Sequence, residues 1–193
     1  MIFVIEHLEP RLSKWCMLEY AHISTIVGKR NVWFSHVSRP SKRLGALGLV
    51  FSAPAKELSK ELSMKNPCVL DPEARETLSY SDCKTSCKKF THLIFGGILG
   101  NDPPQQRTRE IFQDTKVERR NLGHIQMSTD TAVAVAKKIS EGTPFSTLKF
   151  KDTLEINLKK GESVILPYRY VLENGKPMLP KGFADFLKNR RSF

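Results

Sequence analysis

Hydrophobic and polar positions repeat with two different periods along this chain. Ile2, Phe3, Val4 and Ile5 form an unbroken apolar run, which predicts a strand buried on both faces. Leu12, Trp15, Cys16, Ile23 and Ile26 then recur at helical spacing, with Pro10 expected in the first helical turn and Gly28 as the stop. Residues 32–37 read as a second strand and residues 38–48 as a basic, Gly/Pro-punctuated loop. Residues 55–65 predict a helix, with Leu58 and Leu62 on one face. A short strand at 68–70 is followed by a helical piece near 73–79 and a strand at 91–95. Residues 107–112 read as helix and 117–122 as strand. Ser128 is a good N-cap for a helix over 129–141, which Gly142 ends. The pattern then changes: 162–172 is β-like and 182–190 is a short basic helix.

Strands alternating with helices over residues 1–142 predict a parallel sheet with helices on both faces. We divide the chain into an α/β unit at 1–145 and a C-terminal extension, 146–193, packed on it. Ligands of such sheets bind beyond the carboxyl ends of the strands, so the loops 96–104 and 121–128 stand out. The first carries three glycines in five residues, which lets backbone N–H groups approach a ligand; a tight turn is the simpler reading. It has neither dinucleotide-binding spacing nor a Gly-Lys-Ser/Thr phosphate loop. In the second, Ile125 and Met127 can line an apolar slot, with Ser128 and Asp130 at a helix start. Taken alone, the segment is read more simply as ordinary capping with Met127 in the core. At the end of the first strand, Glu6, His7 and Glu9, with Trp15 and Glu19, can surround one site. The alternative is a loop and a capped amphipathic helix with Trp15 in the core.

Composition and charge narrow the partners. The 193 residues suit one domain and need no disulfide framework. Four cysteines include one isolated Cys83-x-x-x-Cys87 pair, so reduced thiols and no metal are expected. No run is long and apolar enough for a membrane span, and the N-terminus lacks the features of a signal peptide, so a cytoplasmic location is expected. The net charge is +11, and the excess is spread along the chain. Residues 1–100 carry 14 basic and 9 acidic side chains, and 101–193 carry 17 and 11. Such a field favours polyanions, including RNA and ribonucleoprotein.

Four segments then resemble one known family: FVIEHLEP and its continuation to Tyr20, THLIFGGILGNDPP at 91–104, RNLGHIQMSTDTAV at 120–133, and LPYRYVL at 166–172. These are similar to a small SPOUT-class family of S-adenosylmethionine-dependent methyltransferases of eukaryotes and archaea. The resemblance implies a SPOUT-type α/β fold whose C-terminal part forms a trefoil knot, and S-adenosylmethionine as methyl donor. The first cofactor loop would be Phe95, Gly96, Gly97, Ile98, Leu99 and Gly100. The second would be Asn121, Leu122, Gly123, Ile125, Gln126 and Met127, with Ser128, Asp130 and Thr131 at the helix start. Backbone groups would hold the adenine, and Leu122 and Ile125 would give apolar contact.

The implied activity is methyl transfer to an arginine of a small-subunit ribosomal protein. Transfer to rRNA or tRNA is the alternative, and a non-catalytic RNA-binding module would need neither loop. An arginine acceptor needs carboxylates to orient its guanidinium and take a proton. The acids within the motifs are Asp102, Glu19, Glu9 and Glu6, with Asp102 nearest the first loop. His7, Trp15, Tyr168, Arg169 and Tyr170 are candidate substrate contacts; an edge strand with packed aromatics is the alternative for the last three. The class is commonly dimeric, but the extension makes a monomer feasible. The expected partner is a small-subunit ribosomal protein or ribosomal particle, with RNA contact through the basic surface and no membrane.

Overall fold

The computed structural model describes residues 1–39, 41–61, 64–84, 86, 89–97, 112, 115–159 and 161–189. Its main sheet contains β1 (Ile2–His7), β2 (Val32–Ser35), β3 (Leu49–Val50), β4 (Pro67–Leu70), β5 (His92–Gly97) and β6 (Glu118–Arg120), in the order β3-β2-β1-β5-β4-β6. Every pairing is parallel. The apolar run of β1 is explained by its place inside this sheet. Val4 packs on one face with Ala55, Leu58 and Ile94, while Phe3 and Ile5 pack on the other with Tyr20, Ile23 and Phe34. Both faces are covered, as a parallel sheet requires.

The connecting helices are α1 (Lys14–Val27), α2 (Lys42–Gly45), α3 (Ala55–Glu61), α4 (Tyr80–Cys83) and α5 (Thr129–Ser140). Pro10 lies outside α1, which starts later than expected because Ser13 caps it: Ser13 Oγ accepts from Cys16 N at 3.1 Å. Gly28 ends α1 at φ 80°, donating its N–H to Ser24 O at 2.9 Å. The expected loop at 38–48 contains α2, made possible by the cap on Ser41 Oγ from Leu44 N and by burial of Leu44. The expected helix near 73–79 does not form. Its backbone groups go instead to the segment after β6: Asn121 N donates to Glu76 O at 2.8 Å and Leu78 N to Asn121 O at 2.9 Å. The helical turn comes after them, as α4. Apart from Phe112, the helix expected at 107–112 lies outside the described residues.

The extension forms an antiparallel sheet of β7 (Phe150–Lys159), β8 (Glu162–Glu173) and β9 (Lys176–Pro177), followed by α6 (Phe183–Lys188). The sequence pattern missed β7, whose register shifts beside Thr153, a residue at φ 64°. Tyr168, Tyr170, Phe183 and Leu187 form a cluster with Trp15 and Leu18 of α1, while Val171 joins the main core. The extension therefore packs against the first helix of the α/β unit.

Candidate active site

The described start of the first predicted loop, Gly96 and Gly97, meets the helix start that follows the second loop at the carboxyl ends of the central strands. Gly96 and Gly97 end β5 in register with Glu6 and His7 of β1. Thr129, in the first turn of α5, donates its hydroxyl to Gly96 O at 3.2 Å, tying the two loops together. Phe95 turns its ring into the core, stacked 6.2 Å from Phe3, so only its backbone faces the loop. Ile98, Leu99, Gly100 and Asp102 lie outside the described residues.

Asn121 shapes the second loop. Its Oδ1 accepts from Gly123 N at 2.9 Å and from Thr77 Oγ1 at 3.0 Å, and its Nδ2 donates to Ala74 O at 2.8 Å. Gly123 sits at φ 86°, where a Cβ would approach the Phe145 ring to 3.0 Å; glycine alone suits this turn. Leu122 is buried and Met127 packs against the core, whereas Ile125 is 45% exposed. The far side of the loop is held by β8: Arg169 N donates to Gln126 O at 2.9 Å, and Met127 bridges Arg169. At the α5 cap, Ser128 Oγ donates to Thr131 Oγ1 at 2.8 Å, and Thr131 N donates to Asp130 Oδ1 at 2.9 Å.

The candidate acids divide into two places. Glu19 and Asp130 are both buried, on α1 and α5, and Asp130 acts on Glu19 as a nearby like charge. Burial, then Asp130, pushes the Glu19 carboxyl well above the usual range; the Trp15 indole N–H, donating to Oε1 at 2.8 Å, opposes this, and Glu9 adds to it. His22 Nδ1 donates to Asp130 Oδ2 at 2.7 Å. Burial, then Asp130 and Glu19, also raises the Tyr170 hydroxyl, which places that ring beside the same pair. Glu6, by contrast, lies between β1 and the neighbouring segments. Its Oε2 accepts from Ser35 Oγ at 2.5 Å and Ala55 N at 2.8 Å. Among the described residues its Oε1 makes no hydrogen bond, although His36 Nδ1 approaches to 3.4 Å.

The candidate substrate residues are similarly sorted. His7 Nδ1 and Tyr20 Oη are 2.9 Å apart, with the imidazole pushed down by burial and then by His36. Trp15 packs edge-on against Phe183 at 5.0 Å while its N–H holds Glu19. Tyr168 is buried in the extension cluster. Arg169 makes a two-pronged pair with Asp152, at 2.6 and 2.9 Å, and lies 5.0 Å over the Phe150 ring. That guanidinium fixes the strand next to the second loop. Sequence reasoning missed His22 and Asp152. The spacing of His22, three residues after Glu19 on one helix, was a usable signal; the Asp152 partnership depends on the unpredicted β7.

The chain matches, over residues 2–192, the family described as SFM1-like protein arginine N-methyltransferase. It belongs to that family. Protein arginine N-methyltransferase SFM1 of Saccharomyces cerevisiae is 36% identical over 97% of this chain and 94% of its own. The crystal structure of yeast SFM1 complexed with SAH superposes with a TM-score of 0.87 at 35% identity, covering 97% of this chain and 94% of that one. Trm10 of Thermococcus kodakaraensis matches with a TM-score of 0.54 at 16% identity, covering 75% of this chain and 94% of that one. That second likeness shows the SPOUT-type fold alone. The family and the sheet order agree with the fold expected from the four sequence motifs.

Proposed function

We propose that this SFM1-like chain transfers a methyl group from S-adenosylmethionine to an arginine side chain of a small-subunit ribosomal protein, in the cytoplasm. The observation that carries the reading is the buried Glu19–Asp130 pair at the end of the central strands. A proton held by Glu19 relieves this like-charge contact before the substrate binds, and a cationic acceptor can replace that proton. A guanidinium has the charge and the planar donors for this role.

The residues around β5 fit the methyl donor. A glycine pair ends the strand, the adjoining loop turns at Gly123, and Ile125 offers exposed apolar surface beside backbone groups. S-adenosylmethionine supplies an electrophilic methyl carbon on its sulfonium. Gly96, Gly97 and 121–127 would hold it. Glu19 and Asp130 would orient the acceptor guanidinium, whose charge favours the ionised form of Glu19, and Glu19 would then take the proton that the acceptor nitrogen loses when it gains the methyl group from the sulfonium, the sulfur leaving as a neutral thioether. His22 keeps the Asp130 carboxylate oriented from outside the pair. The hold of β8 on the second loop within one chain supports a monomeric enzyme.

The test combines purified small-subunit ribosomal proteins, the enzyme and radiolabelled methyl donor, followed by protease or ribonuclease digestion. Label in one arginine-containing peptide is expected. Label released only by ribonuclease would instead establish an RNA acceptor. Mass spectrometry of ribosomal proteins from cells lacking the enzyme should show one arginine lighter by a methyl group.

A further inference from the structure

A cavity of about 460 Å³ opens at the carboxyl ends of β1 and β2. The described elements of the two predicted cofactor loops lie on the other side of β1, around β5 and the start of α5. His7, Leu12 and Val37 contribute to its wall, together with Ser38 and two arginines, Arg11 and Arg39. Both arginines are exposed, and among the described residues neither makes an ion pair or a hydrogen bond. The segment holding Arg39 continues into Lys42 and Arg43, which are exposed at the start of α2 and likewise lack an acidic partner among the described residues. The nearest acid in the first strand, Glu6, is buried and committed to Ser35 and Ala55.

Two free guanidiniums and a serine hydroxyl in one concavity, prolonged by two more cations, match a repeating anion better than a single carboxylate. Arginine forks engage phosphate with two parallel hydrogen bonds. We infer that this cavity and the adjoining basic segment form a docking site for the phosphate backbone of RNA, seating the enzyme on a ribonucleoprotein beside the methyl-transfer site. The site reads phosphates and not sequence, since none of these residues has a partner that fixes it for base recognition. It is independent of which side chain accepts the methyl group.

The test uses the full chain and a fluorescein-labelled 16-nucleotide oligo(U), with anisotropy measured between 50 and 200 mM KCl. The double variant Arg11→Gln/Arg39→Gln should bind at least ten-fold more weakly at the low-salt end. The slope of log affinity against log salt should fall in magnitude by about 1.4, because each phosphate contact on a single strand contributes about 0.7. Arg11→Lys/Arg39→Lys should restore most of that slope, separating charge from folding. An unchanged slope in the glutamine variant overturns the inference. So does a loss of S-adenosylhomocysteine affinity in that variant, which would assign the cavity to the cofactor. Preferential binding of an oligoglutamate peptide through the same arginines would assign it to an acidic protein and overturn it as well. Methyl transfer to isolated ribosomal proteins is assayed separately, so failure of the arginine reading is seen without reference to RNA binding.

Discussion

Glu6 and Glu19 are both buried carboxylates whose pKa is raised first by loss of water. They stand for two different uses of the same side chain. Glu6 is held by two neutral donors, the Ser35 hydroxyl at the end of β2 and the Ala55 amide at the start of α3, with His36 3.4 Å from its other oxygen. Glu19 faces another acid, Asp130. The first arrangement fastens chain segments to one another. In the proposed reading the second offers a place that a cationic substrate can occupy. Burial and a raised pKa alone do not distinguish these two acids; what surrounds each carboxylate does.

The largest effect expected is on turnover. Glu19→Gln keeps the size of the side chain and the Trp15 contact but removes the proposed base, so kcat should fall by about 10²–10⁴-fold. Cofactor affinity, measured by calorimetry, should stay within about two-fold, because Glu19 lies on α1 and belongs to neither cofactor loop. Full activity in this variant would break the comparison at its functional end.

Next comes Glu6→Ala, which leaves the Ala55 amide without its acceptor and the Ser35 hydroxyl with only its longer bond to Ile5 O at 3.3 Å. An orphaned buried donor costs about 1–3 kcal/mol. For a chain of this size each kcal/mol lowers Tm by about 2–4 °C. Thermal unfolding should show that loss. Retained stability with lost turnover would instead move Glu6 into the catalytic group.

The pH dependence of stability sharpens the contrast. Glu19 has a folded pKa raised by burial and then by Asp130. Its share of stability is fully present below its unfolded pKa of about 4.3 and is lost as pH rises through the folded value. Denaturant titrations should therefore show wild type losing stability relative to Glu19→Gln over that rise. Parallel curves would mean that Glu19 stays ordinary in the folded chain. The smallest effect should come from Gly123→Ala. A non-glycine residue at that positive φ costs about 1–2 kcal/mol, lowering Tm by a few degrees and weakening cofactor binding more than acceptor binding.

The sequence made the α/β frame legible because β1 is uniformly apolar and α1 and α5 carry both periodicity and boundaries. It failed where partners far along the chain overrode local pattern. Residues 73–79 give their backbone to the segment after β6, and the bulged β7 breaks the alternation by which a strand is recognised. The acids were legible as types but not as groups. Glu6, Glu9 and Glu19 read together as one cluster, whereas the sheet sends Glu6 to one side, and Asp130, read as part of a cofactor loop, becomes the neighbour of Glu19.

The backbone bond from Arg169 to Gln126 also sets a schedule. A chain made from its N-terminus can form β1, α1 and the central strands early, but the loop ending at Met127 gains its outer support only when Arg169 of β8 arrives, more than forty residues later. Tyr170, beside the acid pair, comes with the same strand. A nascent chain stopped short of that strand therefore holds nearly all of the sheet and an unfinished site. Competence is gained late in synthesis, in one step, when the hairpin closes over work already folded.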